Sequence, residues 1–368
     1  MKQPKSVAPA TSETTSDAAR RPPTIRDVAT RAGISIGTVS RVLNENDTVA
    51  TDIRERVLAS MRELGYVPNR VAQSMRKRAT LAVGCLVTDV RLNAVAEMIS
   101  AAESRLRAAG YDMFVANTHN DPKQEAAILR FFQQRQVDAV ITAITDDQDP
   151  SRMRELKALS MPVVLWERDG GNSLDTVLTD HFTGCLQACS YLLGLGHRRI
   201  ALVGGQSATW AGREMERGYG AAIAQAGGEL DPSLIFHTGS FNVSSCSQIL
   251  RSADPVTGVI GIIDDVALVC KVARGMGLKI PEDLSVISIG DSDFLSMNSP
   301  TITAIRYDHA RVGETAAEFV LDRLGNKSDG AARRVIYPVE LIVRESCAQL
   351  KTASRANLIS ARVSRRTK

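Results

Sequence analysis

The chain has 368 residues, which is too long for one ordinary hydrophobic core and suits a small module joined to a larger body of one or two lobes. Hydrophobic residues make up 44% and charged residues 23%, as in ordinary soluble globular proteins, so a sizeable core can form. The net charge of +4 is mild, and residues 24–79 hold all of it, with ten Arg or Lys against six Asp or Glu.

The same composition excludes several classes of protein. No run of about 18 apolar residues occurs and the N-terminus lacks the apolar stretch of a signal peptide, so we expect neither membrane insertion nor export. The six cysteines lack the spacing of a disulfide framework, which indicates a reduced, cytoplasmic location. Residues 1–23 are poor in large apolar side chains and predict a disordered tail, and residues 349–368 predict a basic flexible tail.

The first predicted elements, in residues 24–67, are short helices around a tight turn. Thr24 can cap the first helix with Asp27 at its third position, Gly33 can end it in a left-handed conformation, and Ser35 can cap the second. The outward face of the second helix is predicted to consist of Ile36, Gly37, Ser40 and Arg41. A third helix should close the core with Ile53, Val57, Leu58, Met61 and Leu64. This pattern is typical of a helix-turn-helix that reads DNA, although similar helical hairpins occur in proteins that never bind DNA.

Residues 68–79 form a short, strongly basic segment that ends in "RKRA". A segment of this length is too short to be a stable helix in water. Two interpretations remain open: a solvated linker, or a hinge helix that folds only against DNA.

From Leu81 to about Ala348, buried strands alternate with amphipathic helices, which predicts doubly wound parallel sheets. A second set of strands and helices begins near Asp175, so we expect an α/β body of two lobes of similar plan. The expected lobes are residues 80–166 with 300–329, and residues 167–299 with 330–348. A ligand would bind between them, at the carboxyl ends of the strands.

The stretches "TIRDVATRAGISIGTVSRVLN" and "GYVPNRVAQ" resemble the DNA-binding headpiece of the lactose/galactose repressor (LacI/GalR-type) family, and the resemblance extends through the body. It implies a two-lobed body like that of periplasmic sugar-binding proteins. It also implies a homodimer on a pseudo-palindromic operator, with two recognition helices in major grooves and paired hinge helices in the minor groove. The expected function is that of a transcriptional regulator, expected to be a repressor, whose operator affinity a small molecule controls. No catalytic residue, metal or cofactor is expected.

The resemblance also assigns the residues that contact DNA. Arg41 matches the arginine that faces bases, where its guanidinium can contact guanine O6 and N7. Met75 matches the position whose leucine usually enters between base steps. The predicted phosphate contacts are Thr24, Ser35, Thr38, Ser40 and Asn69. Asn44 and Arg70 complete the predicted DNA-binding set.

Ile36 and Gly37 occupy the two positions that usually vary within the family and select the operator. Ile36 can sense a thymine methyl group, whereas Gly37 has no side chain that reads a base. We therefore expect direct readout to rest on Arg41, with the deformability of the central base step contributing the rest.

The effector-binding residues are assigned in the same way. They are Asp264, which matches the ligand-contacting aspartate, together with Asp89, Glu167, Arg213, Phe241 and Tyr307. Met215 stands where the family's effector-binding arginine is usual; Arg213 is favoured as its replacement over Arg217, and either could instead be a surface residue. An arginine in the cleft would suit a carboxylate or a phosphate by bidentate pairing. The "GDSDF" element resembles gluconate-type regulators, so the sequence predicts a sugar or sugar acid as effector.

Two other classes of function compete with this interpretation. A solute-binding protein of a transporter would share the two-lobed body but not the helix-turn-helix. An enzyme would need a convergent acid, base or nucleophile, and the sequence pattern offers none. The C-terminal tail lacks leucine heptads, which favours a dimer over a tetramer.

Overall fold

The computed structural model describes residues 23–43, 49–67, 79–325 and 330–350. The chain divides into two units, residues 1–78 and 79–368. Most of the predicted hinge helix and nearly all of both predicted tails lie outside the described residues.

The first unit contains three helices: α1 (Ile25–Ala32), α2 (Ile36–Leu43) and α3 (Thr51–Leu64). The carboxylate of Asp27 accepts hydrogen bonds from the Thr24 N–H and hydroxyl at 2.7 Å each, which fixes the start of α1. Gly33 has φ +67° and ends α1, as predicted. The small core is formed by Val28, Ala29, Ala32, Val39, Val42 and Val57.

One core assignment in this unit was wrong. Leu58 is 41% exposed, although the sequence placed it in the core. Val57, its neighbour on α3, is fully buried, and adjacent residues on a helix point about 100° apart, so the two cannot share one narrow apolar face.

The second unit contains two six-stranded sheets. The first sheet has the order β11-β5-β4-β3-β1-β2 and is parallel throughout. Its strands are β1 (Ala82–Val87), β2 (Asp112–Asn117), β3 (Ala139–Thr142), β4 (Val163–Trp166), β5 (Asp175–Thr179) and β11 (Arg334–Tyr337). The helices packed with it are α4 (Asn93–Ala108), α5 (Pro122–Gln134), α6 (Pro150–Lys157) and α12 (His309–Leu324).

The second sheet has the order β12-β10-β9-β8-β6-β7, and only its edge strand β12 is antiparallel to its neighbour. Its strands are β6 (Ile200–Val203), β7 (Ile235–Phe236), β8 (Gly258–Ile262), β9 (Ser285–Ile289), β10 (Thr303–Arg306) and β12 (Glu340–Ile342). The helices of this lobe are α7 (His181–Gly194), α8 (Trp210–Gln225), α9 (Val243–Arg251), α10 (Ile263–Gly275) and α11 (Asp293–Met297).

The lobe boundaries expected from the sequence need correction. Residues 175–179 and 334–337 belong to the first sheet, not the second lobe, and residues 303–306 belong to the second sheet, not the first lobe. The chain therefore crosses between the lobes after β5, between β10 and α12, and between β11 and β12. Local periodicity cannot reveal this, because the sheet to which a short strand belongs depends on its distant partners, such as Val164 opposite Asp175.

Among the described residues, no helix has the length and apolar character needed to cross a membrane. The six cysteines are free, and five of them are buried.

Candidate functional site

The outward face of α2 is as predicted. Ile36 is 41% exposed, Gly37 and Arg41 are exposed, and Ser40 is half-buried, whereas Val39 and Val42 are in the core. This face can lie against an extended partner without unfolding the headpiece.

Two predicted phosphate contacts also stabilise the helices themselves. The Ser35 hydroxyl oxygen accepts a hydrogen bond from the Thr38 N–H at 3.1 Å and lies 2.9 Å from the Thr38 hydroxyl. The Thr24 hydroxyl donates to Asp27. The other predicted DNA contacts, Asn44, Asn69, Arg70 and Met75, lie outside the described residues.

A cavity of about 210 Å³ lies in the second unit, between its two lobes. It lies at the carboxyl ends of the strands: Thr88 follows β1, Trp166 ends β4, Gly205 follows β6 and Gly290 follows β9. This is where parallel α/β folds bind ligands, because the loops that leave the strands diverge there.

Three of the six predicted effector residues line this cavity, namely Glu167, Asp264 and Tyr307. Asp89 does not line it. Its carboxylate pairs with Arg91, with 2.6 Å between Oδ2 and Nη2, and the hydrogen bond from Arg91 lowers the pKa of Asp89 to about 2.

Phe241 is also outside the lining and cannot stack on a ligand there. It is 7% exposed, and its ring centroid lies 5.4 Å from that of Phe236 in the core of the second lobe.

Arg213, the arginine that the sequence assigned to the cavity, also lies outside its lining. Nη2 of Arg213 lies 2.7 Å from Oδ1 of Asp147, and Nη1 of the exposed Arg217 lies 2.5 Å from Oε1 of the buried Glu214. Neither arginine lines the cavity. Met215, which stands between them in sequence, does so, and it is 2% exposed.

Several polar residues of the lining were not identified from the sequence, among them Asn93, Asn120 and Gln206 and the two buried residues Arg168 and His181. Arg168 is 8% exposed; its Nη1 donates to the carbonyl of Glu167 at 2.8 Å and its Nε donates to the carbonyl of Ile144. His181 is 5% exposed and begins α7. The available signal was position: Arg168 directly follows Glu167 at the end of a buried strand, so both belong to the same strand end.

Both carboxylate oxygens of Glu167 have hydrogen-bond partners within the protein. Its Oε1 accepts from the Thr179 hydroxyl at 2.7 Å, and its Oε2 lies 2.5 Å from Nε2 of His181. Burial alone would raise the pKa of Glu167, but the charge and hydrogen bond of His181 and the bond from Thr179 outweigh it, so the pKa is lowered. Burial lowers the pKa of Arg168.

Tyr307 lies on the crossover between β10 and α12, and its ring makes edge contacts with His181 and His309, with centroids 5.7 and 4.1 Å apart. Burial, followed by the charges of Glu167 and Glu97, raises the pKa of Tyr307, so it stays a neutral phenol. One wall of the cavity therefore contains residues from both lobes and from a crossover between them, namely Glu167, His181 and Tyr307.

Two adjacent carboxyl groups lie at the start of α10; Asp264 lines the cavity, and Asp265 lies behind the lining. Burial and then the charge of Asp89 raise the pKa of Asp264. Burial and then the charge of Asp264 raise the pKa of Asp265 to about 6. The Oδ2 atom of Asp265 is buried without a hydrogen-bond partner. Within the described parts of the chain, no group of His, Cys, Asp and Glu could hold a metal ion.

Comparison with known protein families gives two matches. Residues 24–69 match the model for bacterial regulatory proteins of the lacI family, and residues 189–347 match the model for the periplasmic binding protein-like domain.

Individual relatives match most of the chain. The HTH-type transcriptional repressor PurR of Erwinia tasmaniensis is 34% identical over 333 residues, which cover 88% of this chain and 97% of that protein. The HTH-type transcriptional regulator DegA of Bacillus subtilis is 29% identical, with 89% and 99% covered.

Solved structures agree with these relatives. A complex of the transcriptional regulator CelR with cellobiose is 28% identical with a TM-score of 0.65, and covers 88% of this chain and 99% of its own. The lac repressor dimer bound to operator and the anti-inducer ONPF has a TM-score of 0.77 at 24% identity, with 89% and 100% covered, and shows the shared fold.

Proposed function

The chain belongs to the lacI family of bacterial regulatory proteins, and from this we propose which of its residues bind an operator and which bind the effector that controls it. The protein is a DNA-binding transcriptional regulator whose operator affinity depends on a small molecule. We propose that it is a repressor and acts as a homodimer in the cytoplasm. The lac repressor dimer on its operator and the CelR complex with cellobiose support this assembly and this mode of control.

For DNA, the proposal rests on the exposed face of α2. Arg41 would contact guanine O6 and N7 from the major groove, and Ile36 would contact a thymine methyl group. Phosphate contacts are proposed for Thr24, Ser35, Thr38, Ser40 and Asn69. Asn44 and Arg70 would add further contacts, and Met75 would enter the minor groove from the hinge segment of residues 68–79.

For the effector, the proposal rests on the lining of the cavity. Asp264 would accept hydrogen bonds from the ligand, and the ring of Tyr307 would contact it at the crossover. Glu167, Arg168 and His181 would form the opposite wall, held in place by their bonds to the first lobe and to each other. The expected contacts from Asp89, Phe241 and Arg213 are not part of this proposal.

Control follows from the position of the cavity. A ligand that contacts both lobes favours the angle between the lobes in which those contacts are made. Since each protomer would bring one hinge segment to the operator, a change in that angle alters how well the two segments pair on DNA. Coupling of this kind is usually about 1 to 3 kcal/mol.

The observation that carries the proposal is the combination of two sites in one chain: an exposed α2 with Arg41 outward, and a cavity at the carboxyl ends of both sheets of the body. A solute-binding protein accounts for the second site only. No catalytic step is proposed.

The test is selection of DNA by the full chain from a random-sequence library, followed by titration of the selected duplex and a scrambled duplex at several salt concentrations. We expect the selected duplex to bind at least about 1,000-fold more tightly than the scrambled one. Arg41→Ala should remove most of that preference, because it deletes the main direct base contact. Arg62→Ala removes the same charge from an exposed position on α3, and this variant should retain the preference. Equal affinity for both duplexes, with a steep salt dependence alone, would overturn the proposal.

A further inference from the structure

The charged side chains that line the cavity differ in how far their hydrogen-bonding groups are already used within the protein. Among the described residues they are Glu167, Arg168 and Asp264. Both oxygens of Glu167 already accept hydrogen bonds, and Arg168 donates Nε and Nη1 to main-chain carbonyls. Asp264 has no hydrogen-bond or ion-pair partner within the described part of the chain and is exposed to the cavity. Of these three charged groups Asp264 is the exposed one, so the charge most accessible to a ligand is negative.

The surroundings of Asp264 strengthen this conclusion. Asp265 follows it at the start of α10, and Asp89 of the first lobe lies close enough for its charge to act on Asp264. The charge of Arg91, which is paired with Asp89, acts on Asp264 in the opposite sense and more weakly than Asp89. An anionic ligand placed against Asp264 would add a further negative charge to this group, in a partly buried site where charges are weakly screened. A hydrogen-bond donor or a cation would instead relieve the repulsion.

The rest of the lining combines large apolar side chains with a smaller number of uncharged polar ones, among them Asn93, Asn120 and Gln206. Large apolar side chains come from both lobes, including Met98, Trp166, Met215, Ile263 and Ile289. Met215 stands where the resemblance to the repressor family leads us to expect an arginine. A ligand with hydroxyl groups on all sides would place several of them against these apolar side chains, where they have no partners.

The size of the cavity limits the ligand further. About 210 Å³ is below the range of drug-sized pockets, and a cavity of about 150 Å³ is enough for benzene. The space therefore suits one substituted ring rather than a disaccharide.

Taking the proposed effector site as given, we infer that the effector is a single-ring molecule with an apolar body and a hydroxyl or ammonium donor for Asp264, and that it carries no anionic group. This replaces the sugar or sugar acid that the sequence predicts.

The experiment measures the unfolding temperature of the full chain, without DNA, with five probes at equal ionic strength. Benzyl alcohol, benzylamine and benzoate share one apolar ring and differ in charge, while D-glucose and D-gluconate are polyhydroxylated and differ in charge. We expect benzyl alcohol, benzylamine or both to raise the unfolding temperature by about 2 to 4 °C at ten times their Kd. Benzoate, glucose and gluconate should leave it unchanged.

Asp264→Asn shows whether the effect arises at this carboxylate. It should weaken benzylamine about tenfold or more and benzyl alcohol less, because only the amine loses an opposite charge. Asp293→Asn is the matched control, since Asp293 is an exposed aspartate in the first turn of α11 and is not part of this lining. It should leave both affinities unchanged.

A larger shift with gluconate, glucose or benzoate than with the two benzyl donors overturns the inference. So does the absence of any shift with both donors, or an amine affinity that Asp264→Asn leaves unaltered. These outcomes do not depend on DNA binding. If the chain binds the benzyl donors but does not prefer the selected duplex, the inferred ligand class stands and the proposed regulation is wrong.

Discussion

Arg213 and Asp147 form an ion pair between the two lobes, with 2.7 Å between Nη2 and Oδ1. Asp147 lies in the loop after β3, and Arg213 lies in the first turn of α8. The other oxygen of Asp147 accepts hydrogen bonds from the N–H groups of Trp210 at 2.8 Å and Asp169 at 2.9 Å. The Asp147 side chain is fully buried, so this carboxylate joins the start of α8 to the first lobe without contact with solvent.

We expect Arg213→Gln to favour separation of the lobes. The substitution removes the ion-pair partner of the buried Asp147 carboxylate and leaves it with the nearby charge of Arg168, which should destabilise the body by about 2 to 4 kcal/mol. Urea unfolding measures the loss of stability, and small-angle X-ray scattering measures the expected increase in radius of gyration.

Arg107→Gln is the control for this change. The Arg107 side chain is 76% exposed and pairs with Glu103, one turn before it on α4, so its loss should cost less than about 0.5 kcal/mol. If both variants lose stability equally and neither expands, the pair of Arg213 and Asp147 does not hold the lobes together.

This pair also shows what the sequence can and cannot predict. Thr24, Gly33 and Ser35 predicted the helix boundaries of the headpiece correctly because capping depends on residues a few positions apart. The partner of Arg213 is 66 residues away in sequence, and nothing in the local pattern distinguishes a cavity arginine from an inter-lobe arginine.

The cavity residues show the same difference between what local sequence predicts and what depends on distant partners. Glu167 and Asp264 were assigned through the resemblance to the repressor family, and their places after β4 and in the first turn of α10 agree with that assignment. His181 was missed because it lines the cavity only through the crossover after β5, a strand that the sequence had assigned to the wrong lobe. Phe241 was misplaced because an aromatic residue near a strand end suits a core as well as a ligand.

Asp265 should make the stability of the body depend on pH. Its pKa in the folded chain is raised to about 6 from 3.8, so the folded state favours the protonated acid. Its favourable contribution is complete below about pH 4 and is lost as the pH rises through 6. Asn resembles the protonated acid, so Asp265→Asn should be more stable than the natural chain by about 2 kcal/mol at pH 7.5.

Urea unfolding between pH 4 and 8 tests this prediction, and the difference between the two proteins should shrink toward pH 4. Asp293→Asn serves again as the control, because it makes the same substitution at an exposed position and should change the free energy of unfolding little. A stability difference that stays constant across the range would mean that the Asn acts through packing and not through the charge.

The homodimer should form through the β2 edge of the first sheet. Phe114 and Val115 are adjacent on this edge strand and are 53% and 42% exposed, which is unusual for apolar residues on a sheet edge unless a partner covers them. Phe114→Lys should therefore shift the protein toward monomer in sedimentation experiments. Ile336→Lys places the same charge on β11 at the opposite edge, where Ile336 is 45% exposed, and should leave the dimer intact. Dissociation by Ile336→Lys alone would move the interface to the other edge.

Gly37 should be dispensable for folding and important for DNA. A Cβ atom built on Gly37 would meet only the Ser35 hydroxyl, at 3.7 Å, which is an ordinary contact. Gly37→Ala should therefore stabilise α2 by about 0.5 to 1 kcal/mol, because alanine loses less conformational entropy in a helix.

If the bare backbone allows α2 to approach the bases closely, the added methyl group should weaken binding to the selected duplex by about 1 kcal/mol or more. Thermal unfolding and duplex titration measure the two effects, and Gly194→Ala, at an uncrowded helical glycine of the body, should leave DNA binding unchanged. A Gly37→Ala protein that binds the selected duplex as tightly as the natural chain would show that α2 does not need close approach at this position.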